Sequence, residues 1–307
     1  MTSVRVRVPA TSANLGPGFD ALGLALDIHN EVELAESAQD DQILVEGEEA
    51  AQVPRDASNI ALQAARALLQ QLGAPPIALH MRLKNAIPLA RGLGSSAAAR
   101  AGALVAANEL ARVRGWGKAT PEELVSLAAR LEGHPDNTSA ALLGGLGASI
   151  STQDGAVAER VPCCRYPRFA AFVPDQPVET ARARAVLPDM VSRADAVYNV
   201  GRTALLMAAM MTGDFELLPH ALDDRLHQSQ RASLMPGYSA AREAALELGA
   251  YGVTLSGAGP TILAWLPPDA DARRFSLAMH EATARAGVEG RAHIVRVDWR
   301  GCVPIEE

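Results

Sequence analysis

Residues 88–99 read Pro-Leu-Ala-Arg-Gly-Leu-Gly-Ser-Ser-Ala-Ala-Ala, and the fold turns on how they are read. Gly92 and Gly94 allow a tight turn and keep Cβ atoms away from an approaching ligand. Ser95 and Ser96 then stand where a helix begins, their hydroxyls and the unpaired first-turn N–H groups facing outward. The Ala-rich run 97–110 is strongly helix-forming. A glycine loop that opens directly into a helix makes a cradle for phosphate. The plainer alternative is a serine cap after a flexible turn.

Bulk composition narrows the setting. The chain has 307 residues, 49% hydrophobic, with 25 glycines and only 4% aromatic residues. It is long enough for two domains or one large one, with cores filled by Ala, Leu and Val. A net charge of −7 argues against nucleic acid or a membrane surface as the main partner. The start, Met1-Thr2-Ser3-Val4-Arg5, lacks the apolar run of a signal peptide, which makes the cytoplasm the expected location. Cys163, Cys164 and Cys302 fit neither a disulfide framework nor a zinc site, and read as thiols in a reducing compartment.

Alternation of Val4, Val6 and Val8 with Arg5 and Arg7 predicts a half-exposed strand that ends at Pro9. Short strands follow at 32–34 and 43–45. A helix over 58–72 is predicted with Ser58 as its cap and Gly73 as its stop. Alternating residues 77–83 give the strand that feeds the glycine loop. Thr120, Pro121 and Glu123 form a helix start running toward Leu131. Beyond residue 150, a turn at 153–155 and a strand at 168–173 precede helices at 180–187, 192–211 and 239–248. Strands at 252–255 and 261–265, a helix at 271–286 and a strand at 293–297 complete a split β-α-β pattern. The reading is α+β, divided into 1–165 and 166–307.

The loop matches neither a P-loop nor a protein-kinase motif. It fits a loose G-x-G-x-x-A, but the acidic residue a dinucleotide fold places about twenty positions later is absent. Two more Gly- and Ser-rich turns adjoin alternating strands: 9–20, Pro-Ala-Thr-Ser-Ala-Asn-Leu-Gly-Pro-Gly-Phe-Asp, and 255–261, Leu-Ser-Gly-Ala-Gly-Pro-Thr. Three such turns predict loops converging on one anionic ligand. Together these segments resemble the signatures of the GHMP small-molecule kinases. The first turn, Glu132-Gly133-His134-Pro135-Asp136-Asn137, residues 180–188, and Asp224-Arg225-Leu226-His227 with Arg231 resemble the homoserine kinase branch in particular.

That resemblance implies an N-terminal domain like ribosomal protein S5 domain 2 and a ferredoxin-like C-terminal domain. It also implies ATP and Mg²⁺, a homodimer, and phosphorylation of the small-molecule substrate L-homoserine to O-phospho-L-homoserine, on the way to threonine. Rival readings are a kinase for another small alcohol such as mevalonate, or a silent nucleotide-binding relative. The nucleotide is assigned to Pro88, Arg91, Gly92, Leu93, Gly94, Ser95, Ser96 and Ala97, with Gly257 and Gly259. Asn59 matches the position that meets adenine, or is simply a polar first-turn residue; Lys84 is a nucleotide contact or a solvated strand end.

Ser96 and Glu132 are the implied Mg²⁺ ligands, hard oxygen donors as that ion prefers; Glu132 could instead be a solvated helix-end residue. A buried amino-acid zwitterion needs partners for both charges. Asp20, with Asn14, suits the ammonium group. Arg184 and Arg231 suit the carboxylate through bidentate bonds, although either alone would read as a surface residue. His134 and Asn137 are expected beside the hydroxyl, and Thr180 orients the hydroxyl or the γ-phosphate. An amide at Asn137 cannot serve as a base. Asp136, next in sequence, is not assigned that role, because adjacent side chains diverge on most backbones. Positioning and charge stabilisation are the expected mechanism, with the proton leaving on the phosphate.

Overall fold

The alternating valines do build a strand, but it does not stop at Pro9. In the computed structural model, which describes residues 3–305, β1 (Ser3–Ala13) runs through Pro9. The ladder shifts register between Pro9 and Ala10. A bulge at that point tolerates the missing proline N–H. Past it, residues 10–13 are buried on both faces, so the two-residue alternation that marks a half-exposed strand disappears. β2 (Leu22–Ser37) is correspondingly long. Met1 and Thr2, part of the predicted leaderless start, lie outside the described residues.

The first sheet takes the order β11-β1-β2-β4-β3, with β5 and β6 joined through β2. Here β3 is Gln42–Gly47, β4 Ala78–Asn85, β5 Leu146–Thr152, β6 Gly155–Arg160 and β11 Val303–Pro304. The predicted turn at 153–155 is the tip of the β5–β6 hairpin. Four helices accompany this sheet: α1 (Ile60–Gln71), α2 (Ser95–Arg114), α3 (Pro121–Glu132) and α4 (Asp136–Leu143). Thr120 and Glu123 make the capping box that opens α3. The cap of α1 is Asn59, accepting from the Ala61 and Leu62 amides, and not Ser58. Ser58 bonds Asp56 instead, within the preceding turn.

Beyond the break at residues 161–167 come β7 (Arg168–Pro174), α5 (Thr180–Ala185), α6 (Arg193–Thr212), α7 (Leu218–Ala221), α8 (Gln228–Ala232), α9 (Tyr238–Glu247), β8 (Gly252–Leu255), β9 (Ile262–Leu266), α10 (Ala272–Arg285) and β10 (Gly290–Val295). The second sheet is antiparallel in the order β10-β7-β9-β8. Numbered within this half, that order is 4-1-3-2, the ferredoxin-like split β-α-β arrangement. The closing segment crosses back: Val297 bridges Leu26, and β11 pairs with β1. Residues 297–304 therefore sit on the first sheet, although the division 1–165 and 166–307 groups them with the second.

One apolar core runs under both sheets, from Val6, Leu24 and Leu104 to Phe169 and Trp265. A second cluster around Phe172, Leu255 and Met279 packs α9 and α10 on the smaller sheet. Among the described residues no helix is long and apolar enough to cross a membrane.

A polar seam joins the halves. Ser256 Oγ donates to the Gly92 carbonyl at 2.6 Å, and Thr261 Oγ1 to the Arg91 carbonyl at 2.6 Å. The Gly257 amide donates to the Ala13 carbonyl, and the Thr11 amide to the Leu93 carbonyl. Gly92, at φ +75°, sits within this seam, where a Cβ would lie 2.3 Å from the Ser256 carbonyl oxygen. Gly92→Ala should lose about 1–3 kcal/mol of stability. Thermal melts of Gly73→Ala provide the control, since Gly73 has a similar φ of +70° but nothing within 4 Å. Equal losses in both variants would show that the seam is not tight.

Candidate active site

The cleft is lined by all three turns: Asn14 and Asp20 from the first, residues 90–92 and 94–96 from the second, Gly257 and Ala258 from the third. Glu132, His134, Asp136, Asn137, Thr180, Arg184 and Arg231 complete the wall. α2 begins at the bottom with Gly94 as its cap; no side chain caps its first-turn amides, and no acidic residue lies within that turn. Its uncapped amides and the positive end of the helix therefore face the cleft. Gly94 also clears space, because a Cβ there would stand 1.9 Å from Thr11 Oγ1.

An adjoining pocket, lined by residues 52–54, 58–60, Leu83, Leu89 and Ala99, shares Ala90, Ser95 and Ser96 with the cleft. A flat base in the one and a phosphate acceptor in the other would be joined by a chain crossing the α2 N-terminus. The serines behave differently from each other. Ser95 turns inward to the Ile87 carbonyl, correcting the outward orientation expected of both. Ser96 Oγ donates to Glu132 Oε2 at 3.0 Å. These two oxygens suit a small divalent cation, as hard donors at one point of the phosphate path. Arg100, one turn beyond Ser96, donates to both of them.

Opposite lies a charge array. Arg184 donates to Asp20 through Nη1–Oδ2 at 3.0 Å and Nη2–Oδ1 at 2.7 Å. Asp20 sits at φ +53°, following Asn14 at +68° and Leu15 at +49°. Such left-handed non-glycine residues are costly and gather at functional sites. Asn14 holds this turn: its Oδ1 accepts from the Asp20 amide, and its Nδ2 donates to the Gly257 carbonyl. Both ends of that amide are engaged, one within the first turn and the other across to the third.

Arg231 is 1% exposed. It donates to the Ala183 and Gly257 carbonyls and to His227 Nδ1. Since His227 Nδ1 accepts, its Nε2–H donates to the Gly16 carbonyl at 2.8 Å, and the ring is neutral. Burial drives the His227 pKa down in agreement. Burial, then the Arg184 charge, lowers the Arg231 guanidinium to about 10, still protonated at neutral pH. Both arginines lie over the Phe19 ring, at 5.7 and 5.3 Å from its centroid. Two guanidiniums crowded around one aromatic ring form a ready site for a carboxylate.

Between the two ends, Asp136 is buried and its Oδ1 gathers three groups: His134 Nδ1 at 2.8 Å, the Asn137 amide at 2.7 Å and Asn137 Nδ2 at 3.4 Å. The adjacent side chains converge here, contrary to expectation. Asp136 heads α4, which turns Asp136 and Asn137 toward the same wall. Asn137 Oδ1 in turn accepts from Thr11 Oγ1 at 2.7 Å. The Asp136 hydrogen bond raises the His134 pKa above 6.5, against partial burial.

Several assigned residues contribute backbone only. Leu93 and Ala97 are buried, and the Arg91 side chain straps the Pro174 and Asp175 carbonyls and Glu49. Pro88 faces a neighbouring cavity, and Gly259 does not line the cleft. Asn59 borders the base pocket, but its Oδ1 caps α1 and its Nδ2 donates to the Pro54 carbonyl. Lys84 is 61% exposed and paired with Glu31. Arg100, Thr11 and Phe19 were not found from sequence. Only Phe19, as a lone aromatic inside a glycine turn, gave a signal that could have been used.

His134 offers a check on this geometry. Its raised pKa means that the Asp136 contact stabilises the fold fully below the unfolded histidine value, near 6.5. That stabilisation is lost as pH rises through the folded value. In Asp136→Asn, His134 should titrate at lower pH by NMR; an unmoved titration would remove Asp136 as its partner.

Comparison with known proteins agrees with the fold. Residues 59–145 match the family model for the GHMP kinases N terminal domain, and residues 206–285 that for the GHMP kinases C terminal. The homoserine kinase of Desulfitobacterium hafniense is 45% identical over 98% of this chain and 100% of its own length. That of Moorella thermoacetica is 44% identical over 92% and 94%. The crystal structure of homoserine kinase from Cytophaga hutchinsonii superposes with a TM-score of 0.90 at 28% identity, covering 99% of this chain and 98% of that one. The chain belongs to the homoserine kinase family of the GHMP kinases.

Proposed function

We propose that this kinase transfers the γ-phosphoryl group of ATP directly to the side-chain hydroxyl of L-homoserine, with no carboxylate acting as base. The observation that carries the reading is a single cleft holding both the uncapped amides of α2 and the Asp20–Arg184 pair backed by Arg231. Opposite charges already facing each other are the complement of a zwitterion. The substrate ammonium replaces Arg184 at Asp20, and its carboxylate takes the freed Arg184 together with Arg231.

The α2 amides hold the phosphates, and the base lies in the pocket beside Asn59. Ser96 and Glu132 would hold Mg²⁺, whose charge neutralises phosphate oxygens during transfer. Asn137 is an amide with its oxygen bonded to Thr11, and Asp136 commits Oδ1 to His134 and Asn137. These side chains fix geometry, and His134, held toward its cationic form, supplies charge to the reacting oxygens. The proton leaves on the phosphoryl group. Thr180, at the start of α5 on the cleft wall, orients the acceptor.

Homodimerisation and action in the cytoplasm, where ATP is drawn on, complete the proposal. Sedimentation velocity should give twice the 32.2 kDa chain mass; a monomer at micromolar concentration would reject that part. The activity is tested by ADP release with L-homoserine, L-serine, L-threonine and mevalonate, run on the parent and on Arg184→Met. L-Homoserine should turn over fastest. Arg184→Met should raise its KM about tenfold, or ~1.4 kcal/mol, with the ATP KM little changed. Turnover of mevalonate without L-homoserine overturns the substrate, and an unchanged L-homoserine KM overturns the role of Arg184.

A further inference from the structure

The guanidinium between Ser96 and Glu132 is not accounted for by phosphate binding or by the zwitterion site. Arg100 follows Ser96 by four residues on α2, so both side chains project from the same helical face. Its Nη1 donates to Ser96 Oγ and to Glu132 Oε2 together. Oε2 is also the atom that Ser96 Oγ reaches. The Arg100 and Glu132 side chains are only 17% and 11% exposed, so their attraction is less screened than that of a surface pair.

We propose that Arg100 is a built-in competitor for the divalent cation: it occupies the carboxylate oxygen the metal needs and so sets how tightly the site takes it. The inference rests on the metal reading of Ser96 and Glu132. Mg²⁺ takes oxygen ligands at about 2.0–2.1 Å, a distance that leaves no room for a guanidinium hydrogen on the same lone pair. Two positive groups crowded there would also repel. An ion held by Ser96 Oγ and Glu132 Oε2 would therefore require Arg100 to withdraw from that oxygen. In exchange, Arg100 holds Glu132 turned toward Ser96, so that the donor pair is arranged before the ion arrives. Arg100 is thus a positioning residue whose contact with Glu132 lowers cation affinity.

The test is equilibrium binding of Mn²⁺, followed by the EPR signal of the free ion, with the full chain and a non-hydrolysable ATP analogue. Arg100→Met should bind Mn²⁺ about fivefold more tightly, the effect of losing one partly screened ion pair from the competing state. Arg100→Lys keeps the charge but not the two-oxygen bridge, and should fall between the parent and Arg100→Met. If Arg100→Met does not fold, as judged by its thermal melt, Arg100→Lys decides alone: tighter binding supports the proposal, and equal or weaker binding overturns it. Glu132→Gln separates the two readings. If it leaves Mn²⁺ affinity unchanged, the metal reading itself falls, and this inference with it. If it weakens binding while Arg100→Met leaves affinity unchanged or reduced, only the competition is wrong. In the double variant, the gain from Arg100→Met should disappear.

Discussion

A handful of hydrogen bonds to backbone carbonyls, made between distant turns, constrains everything else in this molecule. The carbonyls of Arg91, Gly92, Leu93 and Ala13 accept from Thr261, Ser256, Thr11 and Gly257. Those contacts lock the phosphate loop to the first turn on one side and to the β8–β9 turn on the other. Each bond adds only about 0.5–1.5 kcal/mol net. Their value lies in position, because buried backbone groups must be paired and few arrangements pair them all. With the seam formed, the α2 N-terminus points into a cleft whose opposite wall joins Asp20 of the first turn to α5 and α8 of the second half.

The walls are then differentiated by charge. One end has peptide amides with no acidic side chain in the first helical turn; the other has two guanidiniums over one phenyl ring, with a single carboxylate facing them. Neutral His227 is what allows Arg231 to be buried so fully, since its Nδ1 supplies an acceptor without a charge while Nε2 secures the Gly16 carbonyl. Asp224 supports this arrangement, accepting from the Leu226, His227 and Gln228 amides and from Asn199. The array is therefore held by groups that never face the cleft.

The sequence exposed the parts that depend on local backbone chemistry. Positive-φ glycines, the Thr120 capping box and the alternating strands on either side of 256–261 each follow from rules spanning a few residues. The convergence of the three turns was legible because each carried the same unusual composition. Partnerships across space were not. Nothing near Arg100 in sequence indicates that Glu132, on another helix, will meet it. Asn59 reads as the position that meets adenine or as a polar first-turn residue, yet the helix starts one residue later than the Ser58 cap predicts and its side-chain amide is consumed in capping α1 and bonding Pro54. β1 outran its predicted end because burial on both faces erased the alternation, and α4 went unseen because eight residues carry too little periodicity to register.

The return of β11 to the first sheet has an effect on biogenesis. Val6 finds its outer neighbour at Pro304, so on the ribosome the flank of β1 stays open while the whole second half is being translated. A bare strand margin is a template for unwanted association. The first half cannot be finished ahead of the second, and maturation of the two is tied to a single late event. Truncating a few C-terminal residues would then be felt at the opposite end of the polypeptide, far from the break in the chain.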